Sequence, residues 1–256
     1  MAQPLRWQRR PADTICFKNL NREILLLVIY ALAYFAFGFL IGAIIQRFPL
    51  PLLGATDFIQ DFWYSIVFKL VFLLFLPSVI FFGMWNYKWK DLSLGSTVSL
   101  KTIAAGVLMA ALGFMLNISH VGGIRENYGA VSFPHLRLAI GVVMPLFVAA
   151  IPEELFFRGM LQTRLEKRYD RSIAILASTI LFVSWHLSTR YMLARGVEGQ
   201  AGNWGEILLN TGVPVFVVGF IFALHWSRYR NILLLIVTHW AIDVLPSVSS
   251  YFKVPF

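Results

Sequence analysis

The chain has 256 residues, of which 58% are hydrophobic and 14% charged, with a formal net charge of +9. Soluble domains run near roughly 25% charged, and no soluble core can absorb the apolar runs that recur here, so a water-soluble protein is excluded. The basic residues fall in short clusters between apolar runs, the pattern of topology determinants, which argues against nucleic acid as a partner. Cys16 is the only cysteine, so no intrachain disulfide forms.

Taken in order, the apolar runs predict an all-α, polytopic transmembrane bundle of about seven to eight spans. A hydrocarbon core of roughly 30 Å needs about 20 apolar residues in a helix. Segments near 24–45, 62–85, 102–118, 138–163, 172–188, 206–226 and 232–248 qualify. Residues 1–23 read as a cytoplasmic N-terminal segment and 24–256 as one transmembrane domain. The first apolar run is too long for a signal-peptide core and lacks a small-residue cleavage site, so it reads as a retained span. Lys69 sits inside the second span and, with Asp61, reads as a snorkelling pair or part of a gate. The longest loop, about 189–205, is rich in Gly, Arg and Asn. Residues 249–256 are too few for a further crossing.

Charge placement orients this count. With the N-terminus inside, inner segments hold Arg6, Arg9, Arg10, Lys18, Arg22, Lys88, Lys90, Lys101, Arg158, Arg164, Lys167, Arg168, Arg171, Arg228 and Arg230. Outer segments hold only Arg47, Arg125, Arg137, Arg190, Arg195 and Lys253. This bias predicts a cytoplasmic N-terminus and, with seven spans, an outer C-terminus.

Ionisable groups inside apolar helices need a reason, because each costs roughly 2.5–3.5 kcal/mol at mid-membrane. The fourth span carries Glu153, Glu154 and Arg158, the fifth His186, and the seventh His239 and Asp243. At ~1.5 Å rise per residue, Glu153, His186 and His239 lie about 15, 21 and 12 Å from the inner ends of their spans. A similar level on three helices predicts a polar cavity formed by the fourth, fifth and seventh.

Spacing assigns partial roles. Glu154 and Arg158 are four apart with the acid first, the favoured order for an intrahelical ion pair. Glu153 is rotated about 100° from Glu154 and points elsewhere. His239 and Asp243, also four apart, share a face. Pro152 removes a backbone hydrogen bond beside the acids, as a bend or as a packing feature. His225, beside Trp226, reads as a packing residue; His120 and His135 carry no functional signal.

A carboxylate and a histidine converging on one water activate it for attack on a carbonyl, and a second histidine stabilises the oxyanion. The same residue types also bind zinc. Spacing permits both.

The ordered set Glu-Glu-x-x-x-Arg (Glu153, Glu154, Arg158), Phe-x-x-x-His (Phe182, His186) and His-x-x-x-Asp (His239, Asp243) resembles the CAAX-protease and bacteriocin-processing family of intramembrane proteases. The likeness covers about residues 138–248; the earlier residues match only as hydrophobic helices. The resemblance implies an endopeptidase of about eight spans with a conical cavity. It implies that Glu153 activates water with help from His186, that Glu154 and Arg158 support the site with Phe182, and that His239 and residue 243 hold the oxyanion. It leaves the cofactor as none or zinc, the latter on Glu153, His186, His239 and Asp243 in a metalloendopeptidase. The family's last motif ends in Asn or Asp. An ionised Asp243 donates no hydrogen bond, so here it is protonated, orients His239 or ligates a metal.

Three functions follow: an intramembrane endopeptidase acting on a membrane-bound, prenylated or unlipidated, peptide or protein; a non-catalytic scaffold, immunity or regulatory protein; and a proton-coupled transporter, disfavoured by the lack of an internal repeat.

Overall fold

The computed structural model describes residues 17–47, 64–92, 99–193 and 199–252. Cys16, Asp61, Arg195 and Lys253 lie outside the described residues, as does most of the N-terminal segment. Every apolar run becomes helix, and among the described residues there is no strand. We label the helices α1 (Leu20–Arg47), α2 (64–84), α3 (Leu100–Leu116), α4 (His120–Asn127), α5 (Pro134–Arg168), α6 (Arg171–Leu193), α7 (Trp204–Tyr229) and α8 (Ile232–Tyr251).

Five of these, α1, α5, α6, α7 and α8, are long and apolar enough to cross a membrane. A sixth crossing exists if α3 and α4, bent by 59°, form one broken span. Residues Phe68–Met84 of α2 make a shorter apolar helix. Their outward side chains are apolar, including Leu25, Ile29, Leu32 and Leu40 of α1 and Val107, Leu108 and Leu112 of α3. Apolar surface this continuous marks a membrane protein.

The structure moves several boundaries set from the sequence. The expected loop 189–205 shortens at both ends, because α6 continues to Leu193 and α7 begins at Trp204. Asn203 caps that start by accepting from the Glu206 amide, a favoured N-cap arrangement. The loop expected between the third and fourth spans contains α4. Helix α5 starts one turn earlier than the apolar pattern implies, at Pro134, where a fixed φ and a missing N–H suit the first helical position. Within α5 the backbone widens to π-helical turns at Leu146–Ala150, directly after Pro145, and again at Leu155–Gln162. A proline cannot donate to the i−4 carbonyl, so the ladder shifts register around it. Glu153 and Glu154 sit in the short α-helical turn between these two widened stretches.

The described helices group into two compact units that alternate along the sequence. The first comprises Met1–Ile44, Val79–Thr97 and Phe156–Ile232. In it Tyr34 of α1 stacks on Trp185 of α6 with centroids 3.4 Å apart, and Phe156 and Phe157 close around the same indole. Helices α6 and α7 pack along their length. At one end of this unit Arg164 is buried. Its Nε donates to Glu23 Oε2 at 2.7 Å, and its guanidinium carbon lies 4.8–5.2 Å from the rings of Phe17, Phe81, Trp85 and Tyr87. Tyr87 donates its hydroxyl to Glu23 as well. Burial, reinforced by that hydrogen bond, pushes the Tyr87 phenol up to about 12, so it remains a donor at neutral pH. Arg230 pairs with Glu166 nearby in the chain's fold, and Gln162 and Trp226 bond to the same group of side chains.

The second unit comprises Ile45–Ser78, Val98–Leu155 and Leu233–Phe256. Here α8 is fixed on both sides. Against α3, Thr238 donates to the Gly106 carbonyl at 3.3 Å and Asn117 donates to the Ile242 carbonyl at 3.1 Å. Against α5, Trp240 donates to the Val142 carbonyl at 2.8 Å and Arg137 to the Tyr251 carbonyl at 3.0 Å. Small residues permit this close approach, as is usual between membrane helices. A Cβ built on Gly113 would lie 2.0 Å from Ile242 Cγ1. Gly113→Ala is therefore expected to destabilise the protein by about 1–3 kcal/mol through overpacking. A companion Ile242→Ala change should recover part of the loss in thermal unfolding in detergent, and additive losses would refute the contact.

Candidate active site

The second unit brings Lys69, Glu153, Glu154, His239 and Asp243 together. Three stretches distant in sequence supply them: the first half of α2, the short turn of α5 between its widened stretches, and the middle of α8. Residues 64–75 of α2 pack against 146–154 of α5, which places Lys69 beside the acids.

Two buried carboxylates face different partners, as the 100° rotation between neighbours requires. Glu153, 1% exposed, accepts from Lys69 Nζ at 3.2 Å through Oε1. Its Oε2 lies 3.8 Å from His239 Nε2, beyond hydrogen-bonding distance. Glu154, fully buried, faces His239 instead, with Oε1 2.7 Å from Nδ1. The other ring nitrogen, Nε2, lies 3.2 Å from Asp243 Oδ2. The imidazole is thus held between two carboxylates, one from α5 and one from the next turn of its own helix. Such bracketing fixes ring orientation.

The first unit holds His186, Phe182 and Arg158. His186 Nδ1 lies 2.9 Å from the Phe182 carbonyl. A carbonyl only accepts, so Nδ1 carries the proton, and in the neutral ring Nε2 is the basic atom. The Phe182 ring packs edge-on against His186 and lies 4.3 Å from the Arg158 guanidinium carbon. Arg158 also donates to the Gly219 carbonyl at 3.0 Å. Within this unit Arg158 therefore contacts both α6 and α7.

Sequence reasoning singled out Lys69 beside Asp61, which lies outside the described residues; the structure gives Lys69 a partner in Glu153. The signal was present, because a lysine in an apolar helix requires a counter-charge. Arg164, Arg230 and Arg137, assigned to loops from charge counting, are buried and bonded within the fold. His225 is buried against Tyr229, as expected of a packing residue.

A zinc ion does not fit this donor set as it stands. Among the described residues no three His, Cys, Asp or Glu side chains are grouped to hold one ion. Both His239 nitrogens face carboxylate oxygens, and an ammonium occupies Glu153 Oε1. A ligating imidazole must instead present a bare lone pair to the metal.

The fold and these side chains define a polytopic membrane protein with a buried carboxylate–histidine site. A family model described as "Type II CAAX prenyl endopeptidase Rce1-like" matches residues 135–245. That segment contains all three motifs, and over it the chain is similar to this endopeptidase family. The Na(+)/H(+) antiporter ApNhaP of Aphanothece halophytica is 24% identical over 119 residues, covering 44% of this chain and 21% of the antiporter. The chain thus spans about a fifth of the length of that curated relative. No solved structure matches.

Proposed function

We propose that the protein is an intramembrane endopeptidase that hydrolyses a peptide bond of a membrane-associated peptide, with Glu153 as the base that activates water. The observation that carries this reading is the buried Glu153 on a membrane-length helix, beside an oriented imidazole, within the segment matched by an endopeptidase family. A general base must reach the proton it takes, and Glu154 gives its Oε1 to His239 at 2.7 Å whereas Glu153 Oε2 stands 3.8 Å from that ring. His186 assists as a second base through Nε2, in the role that the motif order assigns it. Glu154 and Asp243 hold His239, to which the motif order assigns the oxyanion, reached when Nε2–H turns from Asp243. The bundle has seven or eight spans, with the N-terminus in the cytoplasm.

The substrate class is a lipid-anchored or transmembrane peptide. The experiment is a cleavage assay of the purified protein in detergent against a peptide library with prenylated and unlipidated members, with and without chelator. Cleavage insensitive to chelator is expected; the preferred members name the substrate. Cleavage abolished by chelator and restored by zinc would overturn the metal-free mechanism. The antiporter similarity supports a second reading, proton-coupled cation movement through the same acids. Sodium-driven proton flux in proteoliposomes, unaccompanied by cleavage, would favour it.

A further inference from the structure

We propose that Lys69 is a catalytic residue that donates a hydrogen bond to the oxyanion formed at the scissile carbonyl. The inference rests on the endopeptidase reading above and adds a residue from outside the matched segment 135–245.

Four observations converge on it. The ammonium lies 3.2 Å from Glu153 Oε1, on the carboxylate that activates the water. The two partners differ in openness: the Lys69 side chain is 17% exposed and that of Glu153 only 1%. The Lys69 side chain thus reaches beyond the packing that encloses Glu153. Asp243 stands at the position where the family motif also carries Asn, and its oxygen faces His239 at 3.2 Å. That oxygen is engaged by the imidazole and does not itself serve a carbonyl oxygen. Finally, Lys69 has three rotatable N–H donors on a flexible stem.

Distances are compatible with one reacting centre. A water held by Glu153 lies about 2.6–3.2 Å from its oxygen, and attack begins with oxygen and carbonyl carbon about 3–3.5 Å apart. The carbonyl oxygen then falls within a short swing of an ammonium anchored on the same carboxylate. In the step, the water oxygen bonds to the carbonyl carbon, its proton passes to Glu153, and the carbonyl π pair moves to oxygen, where Lys69 donates. Collapse re-forms the carbonyl and breaks the C–N bond, and the leaving nitrogen takes the proton from Glu153. Water and peptide are the only reactants.

A lysine that serves only to neutralise Glu153 would have the same resting contact. The test is therefore Lys69→Met and Lys69→Arg, each assayed for kcat, KM, melting temperature and affinity for two ligands: the product peptide and a phosphonate mimic of the tetrahedral state. One lost oxyanion donor lowers kcat by about 10²–10³. For Lys69→Met we expect that loss, KM within about threefold, an unchanged product affinity and a mimic affinity reduced in step with kcat/KM. Lys69→Arg should restore part of both. Should Lys69→Met fold poorly, the mimic is bound to Glu153→Gln with and without Lys69→Met, where removing both charges relieves the pair. Mimic and product weakened equally, or a kcat within threefold of wild type, would overturn the assignment while leaving the protease reading intact. A wild type that cleaves nothing would overturn both.

Discussion

Glu153→Gln is expected to lower kcat by about 10²–10⁴ while leaving the folded protein and substrate binding in place. Glutamine keeps the shape and one acceptor oxygen for Lys69, yet it cannot take a proton from water. The change also leaves the Lys69 ammonium without its counter-charge. Because the lysine side chain is 17% exposed, it can turn towards the hydrated side, and the stability loss should be well below that for a fully buried pair. Glu154→Gln provides the contrast. Glu154 touches His239 at 2.7 Å and acts through it, so its loss should reduce kcat less than the loss of Glu153. Steady-state kinetics on both variants decide the order, and an equal or larger effect at Glu154 would exchange the two roles.

The largest stability effect is expected in the first unit. Arg164 and Glu23 side chains are 2% and 3% exposed, and the guanidinium is enclosed by four aromatic rings. Breaking a buried pair by removing one member costs about 3–5 kcal/mol, because the other charge stays buried. Arg164→Met should therefore lower the melting temperature by roughly 6–20 °C at about 2–4 °C per kcal/mol. Arg164→Met combined with Glu23→Leu should be less destabilised than either change alone, since no charge is then stranded. Arg164→Lys should recover little, because a point ammonium does not reproduce the planar fork and its stacking. Turnover per folded molecule should be unchanged in all of these. Additive losses in the double variant would show that the pair is not coupled.

How much of this was legible in the sequence depends on the physics that each feature obeys. Helix existence was legible, because bilayer thickness imposes a minimum apolar length and every apolar run became helix. Helix ends were less so: α6 runs to Leu193 because nothing between Leu187 and Leu193 breaks it, although hydropathy falls at His186, Ser188 and Arg190. The motif residues were legible as ionisable groups in apolar surroundings. Which acid faces which partner was legible only as a rotation. That Glu154 rather than Glu153 holds His239 depends on the packing of α8 between α3 and α5. Charge counting says nothing of burial, and Arg137, Arg164 and Arg230 are buried. All three sit near helix ends, where a long side chain can turn back and bond to carbonyls or acids of a neighbouring helix. The contact of Lys69 with Glu153 was hidden because Glu153 is 84 residues away and reaches Lys69 only through the packing of α2 against α5.

The most direct test of the central claim is mass spectrometry of a membrane-peptide library incubated with the purified protein in ¹⁸O-labelled water. Water attack activated by Glu153 predicts paired fragments from the wild type, one ¹⁸O atom in each new C-terminal carboxylate, and no such fragments from Glu153→Gln. Fragments formed equally by Glu153→Gln, or none from a folded wild type across the whole library, would contradict it.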